Sequence, residues 1–106
     1  MNKIDLEKMM ATITEPFVAY DIFNVNNATV RLVKISGKYH WHKHDDKDEL
    51  FMVLKGEMNL NFEHETIHLK KGEAFLVKRG VKHESYSEKG AIVMMVEPLQ
   101  MGVAEK

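Results

Sequence analysis

Cysteine is absent from this chain of 106 residues. Its absence excludes disulfide bonds and thiolate ligands, so any metal ion must be bound by His, Asp or Glu. An excess of one charge is also missing, because 15 Lys and Arg residues nearly balance 16 Asp and Glu residues. Such a balance offers no basic surface to a nucleic acid or to an anionic membrane. We therefore predict no nucleic-acid partner and no membrane partner.

Long apolar stretches are lacking as well. No segment approaches the ~20 apolar residues of a membrane-spanning helix, and charged residues within the first ten positions interrupt any signal-peptide core. We expect a cytoplasmic protein. The length and the lack of linkers or repeats predict one domain over 1–106.

The apolar residues change their spacing along the chain. Leu6, Met9, Met10 and Ile13 recur at helical spacing, which predicts a short helical segment within 1–15 that Asn2 caps. Later, short apolar runs alternate with turn-forming residues, and they predict strands at 29–35, 39–44, 49–54, 57–62, 66–69, 74–77, 83–86 and 91–96. Many short strands at this spacing indicate an all-β sandwich or barrel.

Two of the predicted strands are apolar on both faces. In 49–54 and in 91–96, residues that point to opposite sides of the sheet are equally apolar. Strands of this kind need a cover on each side. The opposite sheet can provide one cover, and the N-terminal helix or a partner subunit can provide the other, so we predict a homodimer.

A cluster of histidines follows the first strand. His40, His42 and His44 alternate, and after a polar turn Glu49 opens the next strand. Alternate residues of a strand share a face, so His42 and His44 project together, with Glu49 facing the same interior. His40 lies roughly 13 Å from His44 along such a strand, at the rim. We predict His42, His44 and Glu49 as metal ligands, and His83, which opens a later strand after a glycine turn, as the fourth.

The spacing of these residues resembles that of the cupin family. His42-x-His44, four residues, Glu49, six residues and Gly56 are similar to the first cupin motif. Gly72, five residues, Lys78, one residue, Gly80, two residues and His83 match the second motif, although Lys78 replaces the usual proline. Two further departures are Ser87, where the family often has asparagine, and Gly37, which precedes His42 by one residue fewer than usual. The resemblance extends from Gly37 to Val96.

The resemblance implies a small single-domain bacterial cupin. Its expected fold is a double-stranded β-helix, or jelly-roll barrel, over 28–97. Members of the family bind one divalent metal ion through three histidines and one glutamate, which here correspond to His42, His44, Glu49 and His83. Iron, manganese or zinc is expected, and nickel or copper is also compatible with imidazole and carboxylate ligands.

A second metal motif competes with this interpretation. Residues 64–68 satisfy the H-E-x-x-H pattern of zinc proteases, in which a helix brings His64 and His68 to one face. The alternation of Met58, Leu60 and Phe62 just upstream predicts a hairpin instead. We therefore do not favour a protease.

Other residues are candidates for the wall of a ligand pocket, although core packing explains most of them equally well. The candidates are Trp41, Phe51, Val53, Met58, Leu60 and Phe62. No Arg or Lys cluster is expected to face the interior, and Lys78, Arg79 and Lys82 are interpreted as a solvated loop. Apart from the ligands, we identify no general base, because Asp45, Asp46 and Asp48 belong to a predicted exposed turn.

Four protein ligands leave one or two positions open on a six-coordinate ion. One hypothesis is therefore a metalloenzyme that acts on a small organic molecule, with the dioxygenase-like or isomerase-like chemistry that the resemblance implies. The alternative is a non-enzymatic module that binds or senses a small ligand through its metal.

Overall fold

Seven strands and one short helix make up residues 3–99, the part of the chain that this computed structural model describes. The elements are α1 (Leu6–Thr12), β1 (Ala19–Val25), β2 (Ala28–Lys38), β3 (Glu49–Lys55), β4 (Glu57–Asn61), β5 (Thr66–Lys70), β6 (Ala74–Val77) and β7 (Glu84–Pro98). Within this range no helix is long and apolar enough to cross a membrane. The predicted all-β jelly-roll barrel with a short N-terminal helix is confirmed.

The strand β7 joins the two halves of the barrel. It pairs with β2 along most of its length and with β3 along its C-terminal half, in the order β1-β2-β7-β3-β6, and its beginning also pairs with β4, which in turn pairs with β5. All of these pairs are antiparallel. Because β7 pairs with strands of both halves, the two halves enclose a common interior.

The strand predictions were wrong in three places. β1 was not predicted, because nearly all of its side chains are exposed and no alternation marks it. The segment 39–44 is not a strand; it forms a single bridge between His42 and His83. The strands predicted at 83–86 and 91–96 are one strand, β7, which is irregular at 88–90, where three residues stand opposite the single residue Ser36 of β2.

The helix begins later than predicted. Asn2 lies outside the described residues, and the N-cap of α1 is Asp5, whose carboxylate accepts a hydrogen bond from the Lys8 backbone N–H at 3.2 Å. This bond satisfies one of the N–H groups that have no partner within a helix. The short helix therefore has a side-chain cap.

The larger sheet is apolar on both faces, as the double-sided strands predicted. Its inner face contributes Val33, Val53 and Val93 to the main core, together with residues of β4 and β5. On the outer face, Met10 and Ile13 near the end of α1 pack against Leu32 and Ile92. The helix thus covers part of the outer face of the sheet. The inner face encloses the main core and the candidate site.

Candidate metal centre

The backbone places His42 beside His83. His42 N donates to His83 O at 3.0 Å, and His83 N donates to His42 O at 2.9 Å. This two-way exchange brings the first histidine motif, on the loop between β2 and β3, against the residue that precedes β7. The centres of the two imidazole rings lie 4.4 Å apart.

Three of the four predicted ligand side chains meet at this point, and the fourth, His83, lies beside Glu49. One candidate ligand atom from each of His42, His44 and Glu49 lies within 4.8 Å of the other two. His44 Nε2 is 3.4 Å from Glu49 Oε2, and His83 Nε2 is 3.5 Å from Glu49 Oε1. Glu49 and His83 are 5% and 1% exposed, so the protein side of the cluster is closed to solvent.

Backbone carbonyls orient two of the imidazoles. Nδ1 of His42 lies 2.9 Å from His40 O, and Nδ1 of His83 lies 2.9 Å from Val81 O. A carbonyl can only accept, so in each ring Nδ1 carries the hydrogen, and in the neutral ring Nε2 retains its lone pair. Histidines that bind metal ions through Nε2 are commonly oriented by a hydrogen bond of this kind.

Two buried polar atoms of the cluster face each other without a hydrogen bond. They are His83 Nε2 and Glu49 Oε1, and within residues 3–99 neither has a hydrogen-bond partner. A buried acceptor opposite a buried acceptor is costly unless a proton or a cation lies between them. A divalent cation fits this set of three imidazoles and one carboxylate, because all of them are nitrogen or oxygen ligands.

The ionisation of these groups also suits a cation. Burial lowers the pKa of His42, and the neighbouring His83 and His44 lower it further, against the effect of the His40 carbonyl. Burial acts to raise the pKa of Glu49, but the nearby His83 imidazole, the Glu97 carboxyl and the positive charge of Lys47 hold it well below its usual range. The His42 imidazole therefore stays neutral while the Glu49 carboxylate is ionised, and these are the protonation states that bind a metal ion.

Hydrogen bonds join the loop before β3 to the loop after β6, next to the cluster. Gly80 N donates to His44 O at 2.7 Å, and Arg79 N donates to Asp48 Oδ1 at 2.8 Å. The bond from Arg79 is the main reason that the pKa of Asp48 lies below its usual value. Asp48 is therefore part of a contact between two loops, whereas the sequence predicted only an exposed turn. This contact holds the loop in which Lys78 replaces the usual proline.

A cavity of about 330 Å³ adjoins the cluster. Apolar residues form much of its wall, and the largest are Phe17, Val33, Ile35, Tyr39, Phe51 and Met95. Its volume lies at the lower end of the range of small-molecule sites. A small organic molecule therefore has room beside the ligand atoms.

Three charged residues of the cavity wall, Arg31, Lys47 and Glu97, were not predicted from the sequence. Oε1 of the buried Glu97 accepts hydrogen bonds from Arg31 Nη1 at 2.9 Å and from Lys47 Nζ at 3.3 Å. Burial raises the pKa of Glu97, and its interaction with Glu49 raises it further. The expectation that no Arg or Lys cluster faces the interior was wrong, because Arg31 and Lys47 lie together in the cavity wall. The overlooked signal was alternation, since Arg31 shares a strand face with Val33 and Ile35.

The remaining predicted residues have different locations. His40 lines the cavity, and its ring stacks at 4.1 Å on Tyr39. Of the predicted pocket residues, only Phe51 borders the cavity. Val53, Met58 and Leu60 belong to the main core, Phe62 packs against it, and Trp41 is exposed beside a separate depression.

The protease motif has no helix to support it. His64 is exposed, and His68 lies on β5, where its ring nitrogens contact Asn59 and, at 2.7 Å, Glu57. On a strand, residues four apart do not converge on one ion as they do on a helix. The hairpin interpretation of this segment is therefore confirmed.

Comparison with known proteins agrees with this architecture. The family model of the cupin domain matches residues 28–97. This chain belongs to the cupin family. The resemblance drawn from the two motifs is thereby confirmed. The cupin is 37% identical over 89 residues to the uncharacterized protein YdbB of Bacillus subtilis (strain 168), covering 83% of this chain and 79% of the relative.

Solved structures are similar to the cupin over nearly all of its length. A cupin-2 domain containing protein from Shewanella frigidimarina superimposes with a TM-score of 0.87 at 28% identity, covering 90% of this chain and 93% of that one. Protein NMB1881 from Neisseria meningitidis superimposes with a TM-score of 0.83 at 28% identity, covering 92% and 99%. These relatives share the fold of the cupin.

Proposed function

We propose that this cupin binds one divalent metal ion through His42, His44, Glu49 and His83, and that the ion acts on or binds a small organic molecule in the adjoining cavity. The observation that carries the proposal is the pair of buried atoms, His83 Nε2 and Glu49 Oε1, which face each other at 3.5 Å without a hydrogen bond. A cation between them removes the cost of that arrangement.

The bound ion would supply Lewis acidity or, in the case of iron, manganese or copper, redox chemistry at positions that the protein leaves open. Residues of the chain orient the metal ligands and shape the cavity. Carbonyl groups orient the His42 and His83 rings, and the apolar wall around Phe51 and Met95 excludes water from the bound molecule. Iron, manganese or zinc is the expected metal, and nickel or copper would also suit these ligands.

Metal content tests the proposal directly. Wild-type protein loaded with Zn²⁺ and desalted should retain about one equivalent by elemental analysis, whereas His42→Ala and His83→Ala should retain far less because each loses a ligand. His64→Ala is the matched control, since His64 is exposed and distant from the cluster in sequence. Full retention of zinc by both ligand variants would contradict the assignment. So would a wild-type protein that binds no metal, because a protonated imidazole would then explain the contact with Glu49.

A turnover assay distinguishes an enzyme from a non-enzymatic binding module. We propose metal-dependent chemistry of the dioxygenase or isomerase kind as the first case. Oxygen consumption or product formation by the iron-loaded protein, across small acids, sugars and phenolics, would support it. Tight binding of one of these compounds without turnover would instead support the non-enzymatic module.

We further propose that a second copy of the chain covers part of the outer sheet face. Outward-facing apolar residues of β3, β6 and β7 lie side by side there, and we call Leu50, Met52, Leu76 and Val96 the outer patch. Leu76 is 44% exposed, and helix α1 packs on a neighbouring part of this face. A contiguous apolar patch is typical of a subunit interface, and two copies can bury it symmetrically.

A further inference from the structure

Two cations in the cavity wall are not needed as metal ligands. Arg31 lies on β2 and Lys47 on the loop before β3, and both bind the same oxygen of Glu97. Their side chains are 12% and 4% exposed. Buried cations are rare unless they are paired or bind an anionic ligand.

We infer that the cavity takes a small carboxylate, which Arg31 and Lys47 recognise while the molecule lies against the bound metal ion. This inference rests on the proposed function, because it names the class of molecule that the site takes. A guanidinium carries five N–H donors and an ammonium three, so each can serve several acceptors together. Glu97 already demonstrates that a carboxylate oxygen fits between the two.

The charges of the described residues around the cavity support an anionic ligand. Arg31 and Lys47 contribute two positive charges, and Glu49, Glu97 and Asp21, which pairs with Arg31 at 2.9 Å, contribute three negative charges. A divalent ion adds two positive charges, so with the histidines neutral the sum is at least 2 − 3 + 2 = +1, and it is larger whenever Glu97, whose pKa is raised, is protonated. A carboxylate reduces this positive charge. A neutral ligand would leave a net charge in a largely buried site, which is unfavourable.

The apolar wall and the volume limit the rest of the molecule. Phe17, Val33, Ile35 and Met95 offer no hydrogen-bond donor, and their one acceptor is the weak thioether sulfur of Met95. About 330 Å³ is the volume of roughly ten water molecules at ~30 Å³ each, which suits a molecule of about ten non-hydrogen atoms. A short aliphatic or monocyclic acid meets both conditions, whereas a polyhydroxylated sugar would place some of its hydroxyl groups against these apolar side chains.

The competing explanation is that Arg31 and Lys47 only neutralise Glu97. In that case the two cations stabilise the fold but do not distinguish one ligand from another. Matched pairs of acid and amide separate the two explanations, because the members of each pair have nearly the same size and differ in charge.

Calorimetric titration of the zinc-loaded protein in a chloride buffer provides the test. Isovalerate and benzoate are compared with isovaleramide and benzamide. We expect wild type to bind the acids at least about tenfold more tightly than the amides. Lys47→Met should weaken acid binding by about tenfold and leave amide binding unchanged. Lys43→Met, which removes the same charge at an exposed position near the metal motif, should behave as wild type.

Zinc content and circular dichroism are measured on every sample, so that loss of fold or metal is recognised. Metal-loaded wild type that binds acids and amides equally, or binds neither below about 10 mM, would overturn the inference and leave the metal site intact. An acid preference that survives Lys47→Met unchanged would also overturn it, because the metal alone would then select the acid. A wild type that retains no zinc would overturn the proposed function, and the inference with it. The comparison of acid with amide in wild type needs no variant, so equal binding overturns the inference even if Lys47→Met misfolds. Lys47→Gln would then take the place of Lys47→Met in the comparison that separates Lys47 from the metal.

Discussion

Gly56 forms the turn between β3 and β4, where the chain passes close to Gly90 of β7. Its φ is +76°, and a Cβ at this position would overlap the carbonyl oxygen of Gly90. Both the left-handed backbone and this backbone contact therefore require glycine. Since Gly56 closes the first sequence motif, its role is to let two strands approach.

Gly56→Ala should accordingly destabilise the protein by about 2 kcal/mol or more, as measured by urea unfolding. Gly72→Ala is the control, because Gly72 has a similar φ of +86° but nothing within 4 Å of the added Cβ. We expect the control to lose only about 1 kcal/mol. Equal losses in the two variants would show that the contact with Gly90 does not matter.

Sequence reasoning identified the ligand candidates because their signal is local. His42, His44 and Glu49 lie within eight positions, and alternation of the histidines together with a chain reversal before Glu49 predicts that they converge. Arg31, Lys47 and Glu97 have no such spacing, and their interaction depends on how β2, β7 and a loop come together. Lys47 in particular lies in a polar turn whose sequence suggests solvent, and only the fold shows that it is buried.

At the level of elements, helix α1 stabilises the sheet from the side opposite the cavity. Met10 is 7% exposed and packs with Leu32 and Ile92 on the outer face. The metal cluster lies at the inner face. The helix should therefore contribute to stability without affecting the ligands.

Met10→Ala tests this separation. We expect a loss of about 2 kcal/mol in urea unfolding, because a buried side chain is replaced by a smaller one, with bound zinc unchanged. Met10→Leu nearly keeps the volume and should lose less than about 1.5 kcal/mol. Loss of zinc from folded Met10→Ala would mean that the helix and the metal centre are coupled.

Strand prediction succeeded where one face is buried and failed where that condition is absent. β3 and β6 begin at the predicted residues because each is a short apolar run that contributes buried residues and follows turn-forming residues. Most side chains of β1 are exposed, so its sequence carries no such pattern. The segment 39–44 does alternate, but its histidines alternate because of the site, and its backbone forms one isolated bridge to His83, just before β7, instead of pairing along a strand.

On the scale of the whole molecule, the outer patch predicts association. Light scattering coupled to size exclusion should give twice the 12.3 kDa mass of one chain. Leu76→Glu should produce the monomer, because it places a charge in the apolar interface. Val18→Glu is the control, since Val18 is an apolar residue of similar exposure, 38% against 44%, outside the outer patch. A wild type that is monomeric at tens of micromolar, an order of magnitude set by ordinary dimer affinities, would refute the dimer.

The bridge between His42 and His83 also has a consequence for the order in which the protein matures. The two residues are 83 − 42 = 41 positions apart, and contacts over such separations form only after the chain has closed a long loop. During synthesis, the first three ligand candidates leave the ribosome well before His83 and β7. The complete set therefore exists only in the fully folded chain, and metal uptake by four ligands would mark the end of folding.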